Sequence, residues 1–330
     1  MKASAEGYKS VELFRNANID WLGKKWYFLG FSLIFSVAGL LSILFWHHIP
    51  LGVDFKGGTQ VRVEFSQTPN EDHIRQAMNQ AGVHDTLIQR ISDPSGRAAN
   101  KVIIALPQSS ATDAAHDAGR QSVEKALSAN YRDSAFTIEQ VEIVGPTAGK
   151  QLQKQALLAT GYSLIGMLIY LWFRFELIYG VAAVVAVFHD TLITIGAFSL
   201  TNQEITLTVI AALLTLIGYS MNDTIVVFDR IRENLALSRR ESLADVVNRS
   251  INQTLSRTVI SSGLTFLTVL SLYLFGGEVL HGFSFALVIG ILIGTYSSIA
   301  VAAPMLVAYQ EWRTKRGKVA TLPAGKKAKA

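Results

Sequence analysis

The chain has 330 residues, 50% of them hydrophobic and 17% charged, with a mean hydropathy of +0.30; soluble domains average about 25% charged residues, so the composition excludes an ordinary globular enzyme and points to a polytopic membrane protein. There is no cysteine, which rules out disulfides, thiolate nucleophiles, Cys-ligated zinc and iron–sulfur clusters and leaves any chemistry to carboxylates, histidines, arginines and hydroxyls. The net charge of +5 could suit nucleic acid, but in a membrane protein Lys and Arg first report topology, and no nucleic-acid partner is expected.

In chain order, residues 1–25 form a basic tail. Trp26 to Trp46 is an uninterrupted apolar run, long enough to cross about 30 Å of hydrocarbon at about 1.5 Å per residue. It ends in Trp46-His47-His48-Ile49-Pro50 rather than at a small-residue cleavage site, so it reads as an uncleaved anchor. Residues 47–150 are polar and read as a separate α+β module. Gly57 and Gly58, between the first span and the first strand, read as a tight turn at the membrane surface and lack the spacing of a phosphate loop. Gln60 to Phe65 alternates like a half-buried strand. Asn70 caps a helix ending near Gly82. Strand-like runs at Thr86 to Ile91 and Lys101 to Leu106 flank a turn at Asp93-Pro94-Ser95-Gly96, followed by a helix near Thr112 to Asn130 and a strand at Phe136 to Val144. This pattern predicts helices on one face of an antiparallel sheet. The module carries no catalytic or metal-binding cluster; it suits binding, with a sheet edge able to accept an extended peptide, or a spacer.

Residues 151–309 hold five further apolar runs, near Gln155 to Phe173, Leu177 to Leu200, Ile205 to Phe228, Thr258 to Phe275 and Gly282 to Tyr309, giving six spans grouped one plus five. Residues 230–257 read as an amphipathic segment, with a capping box at Ser238 to Glu241 and a helix lying on the inner membrane surface, its apolar face formed by Leu243, Val246, Val247, Ile251 and Leu255. Gly290, Gly294 and Ser298 form a small-residue ridge for close helix packing. Residues 310–330 form a basic tail attracted to anionic membrane lipids. Lys and Arg concentrate in the two tails and in 230–257 and are missing from the short loops Thr201 to Gln203 and Gly276 to His281; the positive-inside rule therefore puts both termini in the cytoplasm and the module outside.

Charged side chains near the centre of a span cost about 2.5 to 3.5 kcal/mol each on insertion scales, so each needs a partner or a function. His189 and Asp190 lie mid-way along the third span, and Asn222 and Asp223 two thirds along the fourth. Arg257 opens the fifth, with Ser261, Thr265 and Thr268 on its face, a polar stripe able to face Asp223. The pair reads either as glue between helices or as a proton carrier, an Asp whose charge is balanced by an Arg that can move away. Asp229, Arg230 and Arg232 read as interfacial.

One span, then an outward module opening with Val53-Asp-Phe-Lys-Gly-Gly-Thr59, then five spans carrying Gly218-Tyr-Ser-Met-Asn-Asp-Thr-Ile-Val-Val-Phe-Asp-Arg-Ile-Arg-Glu-Asn234, together resemble the SecD/SecF family of protein-export membrane subunits, a branch of the resistance-nodulation-division superfamily, and its SecF side in particular. His189, Asp190, Gly276 and Gly277 match the family pattern as well. The resemblance implies a bacterial inner-membrane subunit that pairs with SecD, associates with the SecYEG channel, YajC and YidC, and uses the proton gradient to help draw preproteins out on the periplasmic side. It implies a relay built on Asp223, Arg257, Asn222, His189 and Asp190, family-motif roles for Asp54, Gly57, Gly58, Gly218, Asp229 and Arg230, and neither cofactor nor metal. Two further readings are a scaffold for SecD without its own relay and a proton-driven small-molecule exporter; the single outward module argues against the exporter. An intramembrane aspartyl protease would need Gly-x-Gly-Asp, which Gly218-Tyr-Ser-Met-Asn-Asp223 lacks.

Overall fold

The computed structural model describes residues 17–84, 86–91, 100–106, 115–175, 177–238 and 241–316. Most of the N-terminal tail, the turn expected at Asp93 to Gly96, the start of the second module helix, Arg239 and Arg240 of the expected capping box, and the Lys-rich C-terminal tail lie outside the described residues.

Helix α1 (Lys25–Leu41) continues through a π-helical turn, Ser42–Trp46. A strap follows, with a four-residue helix α2 (Val53–Lys56) that ends at Gly57, where φ is +74°. A side chain there would be strained, which explains a glycine at the turn. The module comprises β1 (Gly58–Phe65), α3 (Glu71–Gln80), β2 (Leu87–Arg90), β3 (Lys101–Leu106), α4 (Ala115–Asn130) and β4 (Phe136–Val144). Its sheet has the order β2-β3-β1-β4, antiparallel throughout. Val61, central in β1, pairs with Ile104 on one side and Val141 on the other. The Asn70 side chain accepts hydrogen bonds from the Asp72 and His73 amides, the N-cap its position predicts. Ile74, Met78, Val123 and Leu127 of the two helices close over Val61, Val63, Val102 and Ile104, which alternate along the strands toward one face.

The remaining spans are α5 (Pro146–Arg174), α6 (Leu177–Thr201), α7 (Leu207–Leu237), α8 (Leu243–Phe275) and α9 (Glu278–Ser297), the last continued by a π turn, Ser298–Ala302, and α10 (Ala303–Lys315). Pro304 accounts for the π turn: it has no N–H to donate to Ala300 and its ring would clash there, so the backbone widens ahead of it. Among the described residues six helices are long and apolar enough to cross a membrane, one before the module and five after it, and the chain is a multi-pass membrane protein.

The stretch expected as a separate surface helix is instead the first turns of α8. Val246, Val247, Ile251 and Leu255 are buried in one cluster with Val227, Phe228 and Ile231 of α7, so the amphipathic face finds a protein partner rather than lipid. Helix α8 consequently starts at Leu243, and Arg257 sits in its interior. The ridge expected on the last span does its packing against α7: a Cβ on Gly290 would lie 2.4 Å from Leu216 Cδ2, and one on Gly294 would lie 3.1 Å from Ser220 Cβ. A second close crossing joins α1 to α6, where a Cβ on Gly196 would lie 2.6 Å from the Gly39 Cα. Without a hydrophobic drive between helices in lipid, contact this close is what dispersion requires.

Candidate functional site in the membrane bundle

Helices α6, α7, α8 and α9 meet around two carboxylates. Asp190 of α6 is 1% exposed. Its Oδ2 accepts hydrogen bonds from Ser220 Oγ of α7 at 2.6 Å and from Ser297 Oγ of α9 at 2.8 Å, and its Oδ1 lies 3.0 Å from His189 Nδ1. Three helices are therefore held at one carboxylate. The Gly294 crossing makes this possible, because it brings α9 onto α7 at Ser220 itself. The second imidazole nitrogen of His189, Nε2, is buried with no hydrogen-bond partner among the described residues.

Asp223 lies three residues after Ser220, on the same face of α7. It is 3% exposed and, among the described residues, accepts one side-chain hydrogen bond, from Ser262 Oγ of α8 at 2.6 Å. The contrast is chemical. Asp190 is held from three helices, whereas Asp223 has a single hydroxyl partner among the described residues, so an ionised Asp223 is the less compensated of the two.

The expected stripe on α8 does not face Asp223. Arg257, Ser261 and Thr268 are exposed on the outer surface of the chain and Thr265 is half-buried, while Thr258 and Ser262 are the buried hydroxyls. Thr265 and Thr268 spend their hydroxyls on the carbonyls of Ser261 and Leu264. Arg257 makes no ion pair with Asp223 and is exposed on α8. Asn222 and Gly218 are exposed on α7, away from the cluster. Asp229 pairs with Arg174 at 2.9 Å, and Arg230 bonds Gln253 at 2.6 Å and Glu233 at 2.7 Å, tying the ends of α5, α7 and α8 together at the surface. Ser220, Ser262 and Ser297 complete the site and are not singled out by the sequence alone; the only signal for Ser220 is its i−3 spacing from Asp223.

The strap forms a second constellation at the opposite end of α7. Asp54 Oδ2 accepts a hydrogen bond from the Leu207 amide at 2.8 Å. Ile205 donates to the Pro50 carbonyl at 2.7 Å and accepts from the Gly52 amide at 3.0 Å. Phe55 is buried with Phe198, Ile205, Val209 and Phe285. A Cβ on Gly57 would lie 2.9 Å from the Pro146 Cα, so the glycine turn lies flat against the start of α5.

Family models match this chain in two places. The SecD/SecF GG motif covers residues 47–69, the strap and β1, and the C-terminal region of the protein export membrane protein SecD/SecF covers residues 123–312, from within α4 through β4 and α5 to α10. Both constellations thus fall within segments matched by a family of protein export membrane proteins. The chain belongs to the SecD/SecF family, on its SecF side. It is 56% identical to the Protein translocase subunit SecF of Koribacter versatilis, covering 95% of this chain and 96% of that one, and 42% identical to that of Calditerrivibrio nitroreducens, covering 92% and 99%. Among solved structures, SecDF of Thermus thermophilus, described as a translocon-associated membrane protein, matches with a TM-score of 0.79 at 34% identity over 90% of this chain. A SecDF structure in a super-membrane-facing form matches with a TM-score of 0.64 at 35% identity over 92% of this chain. The chain spans about two fifths of these SecDF chains, 39% and 40% respectively.

Proposed function

We propose that this chain is the SecF subunit of a proton-driven accessory complex of the protein translocase, which promotes late translocation and release of preproteins across the bacterial inner membrane. The observation that carries the reading is Asp223: a carboxylate 3% exposed inside a membrane-spanning helix, with one hydroxyl as its hydrogen-bond partner. An intramembrane carboxylate so lightly compensated is a site where a proton binds and leaves. One elementary charge crossing 100 mV provides about 2.3 kcal/mol, enough to bias a conformational equilibrium of ordinary size. Arg257 modulates Asp223 from a distance, and the Asp190 cluster with His189 holds α6, α7 and α9 in register around it.

SecD is the partner. The two SecDF structures above are chains of which this one spans about two fifths, and the outward face of α8 carries Ser261 and Thr268 uncovered. Polar residues on a membrane helix require protein or water against them. SecYEG, YajC and YidC complete the assembly. In this reading residues 1–25, 230–257 and 310–330 are cytoplasmic and residues 47–150 periplasmic, where the exposed edge strand β4 contacts the emerging preprotein or the SecD module that does. Support comes from the Lys and Arg distribution. Proton-gradient-dependent completion of translocation in vesicles carrying Asp223→Asn, with SecD co-purification as the assembly control, tests the proposal.

A further inference from the structure

Glu204 lies inside the clamp between the strap and the α6–α7 turn. Its neighbour Ile205 is the residue bonded to Pro50 and Gly52, and a Cβ on Gly52 would sit 3.3 Å from Glu204 Oε2, so the carboxylate lies against the strap backbone. Glu204 Oε1 is buried with no hydrogen-bond partner among the described residues. The charged groups around it are Lys56 and Asp54 on the strap and Glu142 on β4; the turn from Asn202 to Thr206 adds none. His47, at the far end of α1, is engaged with the Ser199 carbonyl at 2.9 Å. The module touches the same turn through Gln89, whose Nε2 donates to the Asn202 carbonyl at 2.8 Å. One half-buried carboxylate, its Oε1 fully buried, therefore sits where the strap, the module and the start of α7 converge.

We propose that Glu204 is a proton-binding site that sets how firmly the strap and module are held to the α6–α7 turn: protonated Glu204 closes the clamp and ionised Glu204 loosens it. A neutral carboxyl tolerates the buried position with one unpaired oxygen, whereas the anion loses its hydration and faces Asp54 and Glu142. Lys56 is the one group that favours the anion. The balance raises the Glu204 carboxyl to about 7, with burial as the main cause, the two carboxylates adding to it and Lys56 opposing. The closed clamp thus binds the proton more tightly than an exposed glutamate, whose ordinary value is 4.5. Closure is at full strength below that ordinary value and is lost as pH rises toward and through about 7, a change of up to about 300-fold in the closing equilibrium. About 24 Å of α7 separates this end of the helix from Asp223. The switch goes beyond the relay proposed there and does not depend on it.

The test is a spin-label distance between the module and the bundle, measured on the full chain in lipid nanodiscs. The chain has no cysteine, so labels at Gln80→Cys and Thr201→Cys, both exposed positions, are confined to the chosen sites. Between about pH 4 and about pH 8.5, either side of both values, a single short distance should give way to a longer, broader population with its midpoint between 4.5 and about 7. Glu204→Gln should keep the short distance at both pH values, and Lys56→Gln, which removes the group that favours the closed anion, should make the opening at high pH more complete. A native distribution that ignores pH, a Glu204→Gln chain that titrates like the native one, or a Glu204→Gln chain open at both pH values would overturn the proposal.

Discussion

The Asp54 carboxylate caps a helix to which it is not adjacent: its Oδ2 accepts the Leu207 amide at 2.8 Å across 153 residues of sequence. Thr206, the residue at the N-cap of α7, makes no side-chain cap of its own. The strap therefore supplies both the acceptor and a negative charge for the positive end of the α7 dipole, and α7 carries Asp223. The glycine motif outside the bundle is mechanically continuous with the helix proposed to bind the proton.

Replacing Asp54 separates the two contributions. Asp54→Ala is expected to destabilise the chain by about 1 kcal/mol, the usual worth of a cap, and Asp54→Asn by less, since the amide oxygen still accepts the bond while the charge is lost. Denaturant unfolding in mild detergent reads both; equal losses would show that only the charge matters.

Gly57 is held by two constraints, a φ of +74° and the Pro146 backbone at 2.9 Å from a would-be Cβ. Gly82 shares the first constraint, with φ at +79°, but has open space around it. Gly82→Ala is expected to lose about 1 to 2 kcal/mol from backbone strain alone, and Gly57→Ala distinctly more, because the clash is with backbone that cannot rotate away. Matching melting temperatures for the two variants would contradict this account of the turn.

At the α7–α9 crossing, Gly290→Ala forces a methyl to within 2.4 Å of Leu216 Cδ2. Overpacking of this kind costs about 1 to 3 kcal/mol. Adding Leu216→Ala should return part of the loss, whereas Gly166→Ala, with no atom within 4 Å of the new methyl, should be neutral or stabilising. Thermal unfolding of the four chains checks the set.

Ser262→Ala removes the hydroxyl on Asp223, while Ser261→Ala removes an exposed one. Ser262→Ala should cost about 1 to 3 kcal/mol locally and reduce proton-dependent translocation with assembly intact; Ser261→Ala should stay within about 0.5 kcal/mol of the native chain. Equal effects on translocation would show that the outward stripe, not the buried hydroxyl, governs Asp223.

The six spans are legible in the sequence because crossing hydrocarbon requires about 20 consecutive apolar residues, and Asp190 and Asp223 stand out because such runs rarely admit a carboxylate. The module strands and the Asn70 cap follow from alternation and capping chemistry. The identity of the hydroxyl at Asp223 does not follow. Ser261 and Ser262 differ by about 100° around the helix, and the polar stripe through Arg257 and Thr268 looks like the inward face because a soluble protein is the usual template for that inference. In a subunit whose partner is another membrane chain, the polar stripe can be addressed outward. The apolar face from Leu243 to Leu255 likewise has the same period whether it lies on lipid or on α7. Asp54 and Leu207, Gly57 and Pro146, and Gly39 and Gly196 meet only through the tertiary fold, and no local pattern announces such contacts.

Proton-gradient-dependent translocation in membrane vesicles, with native chain, Asp223→Asn or Arg257→Ala and with SecD co-purification measured in parallel, tests the central claim most directly. The account predicts that Asp223→Asn assembles normally and loses the gradient-dependent step, and that Arg257→Ala, acting only through space, loses part of it. Normal assembly with undiminished gradient-dependent translocation in Asp223→Asn would contradict the account and leave this chain a scaffold.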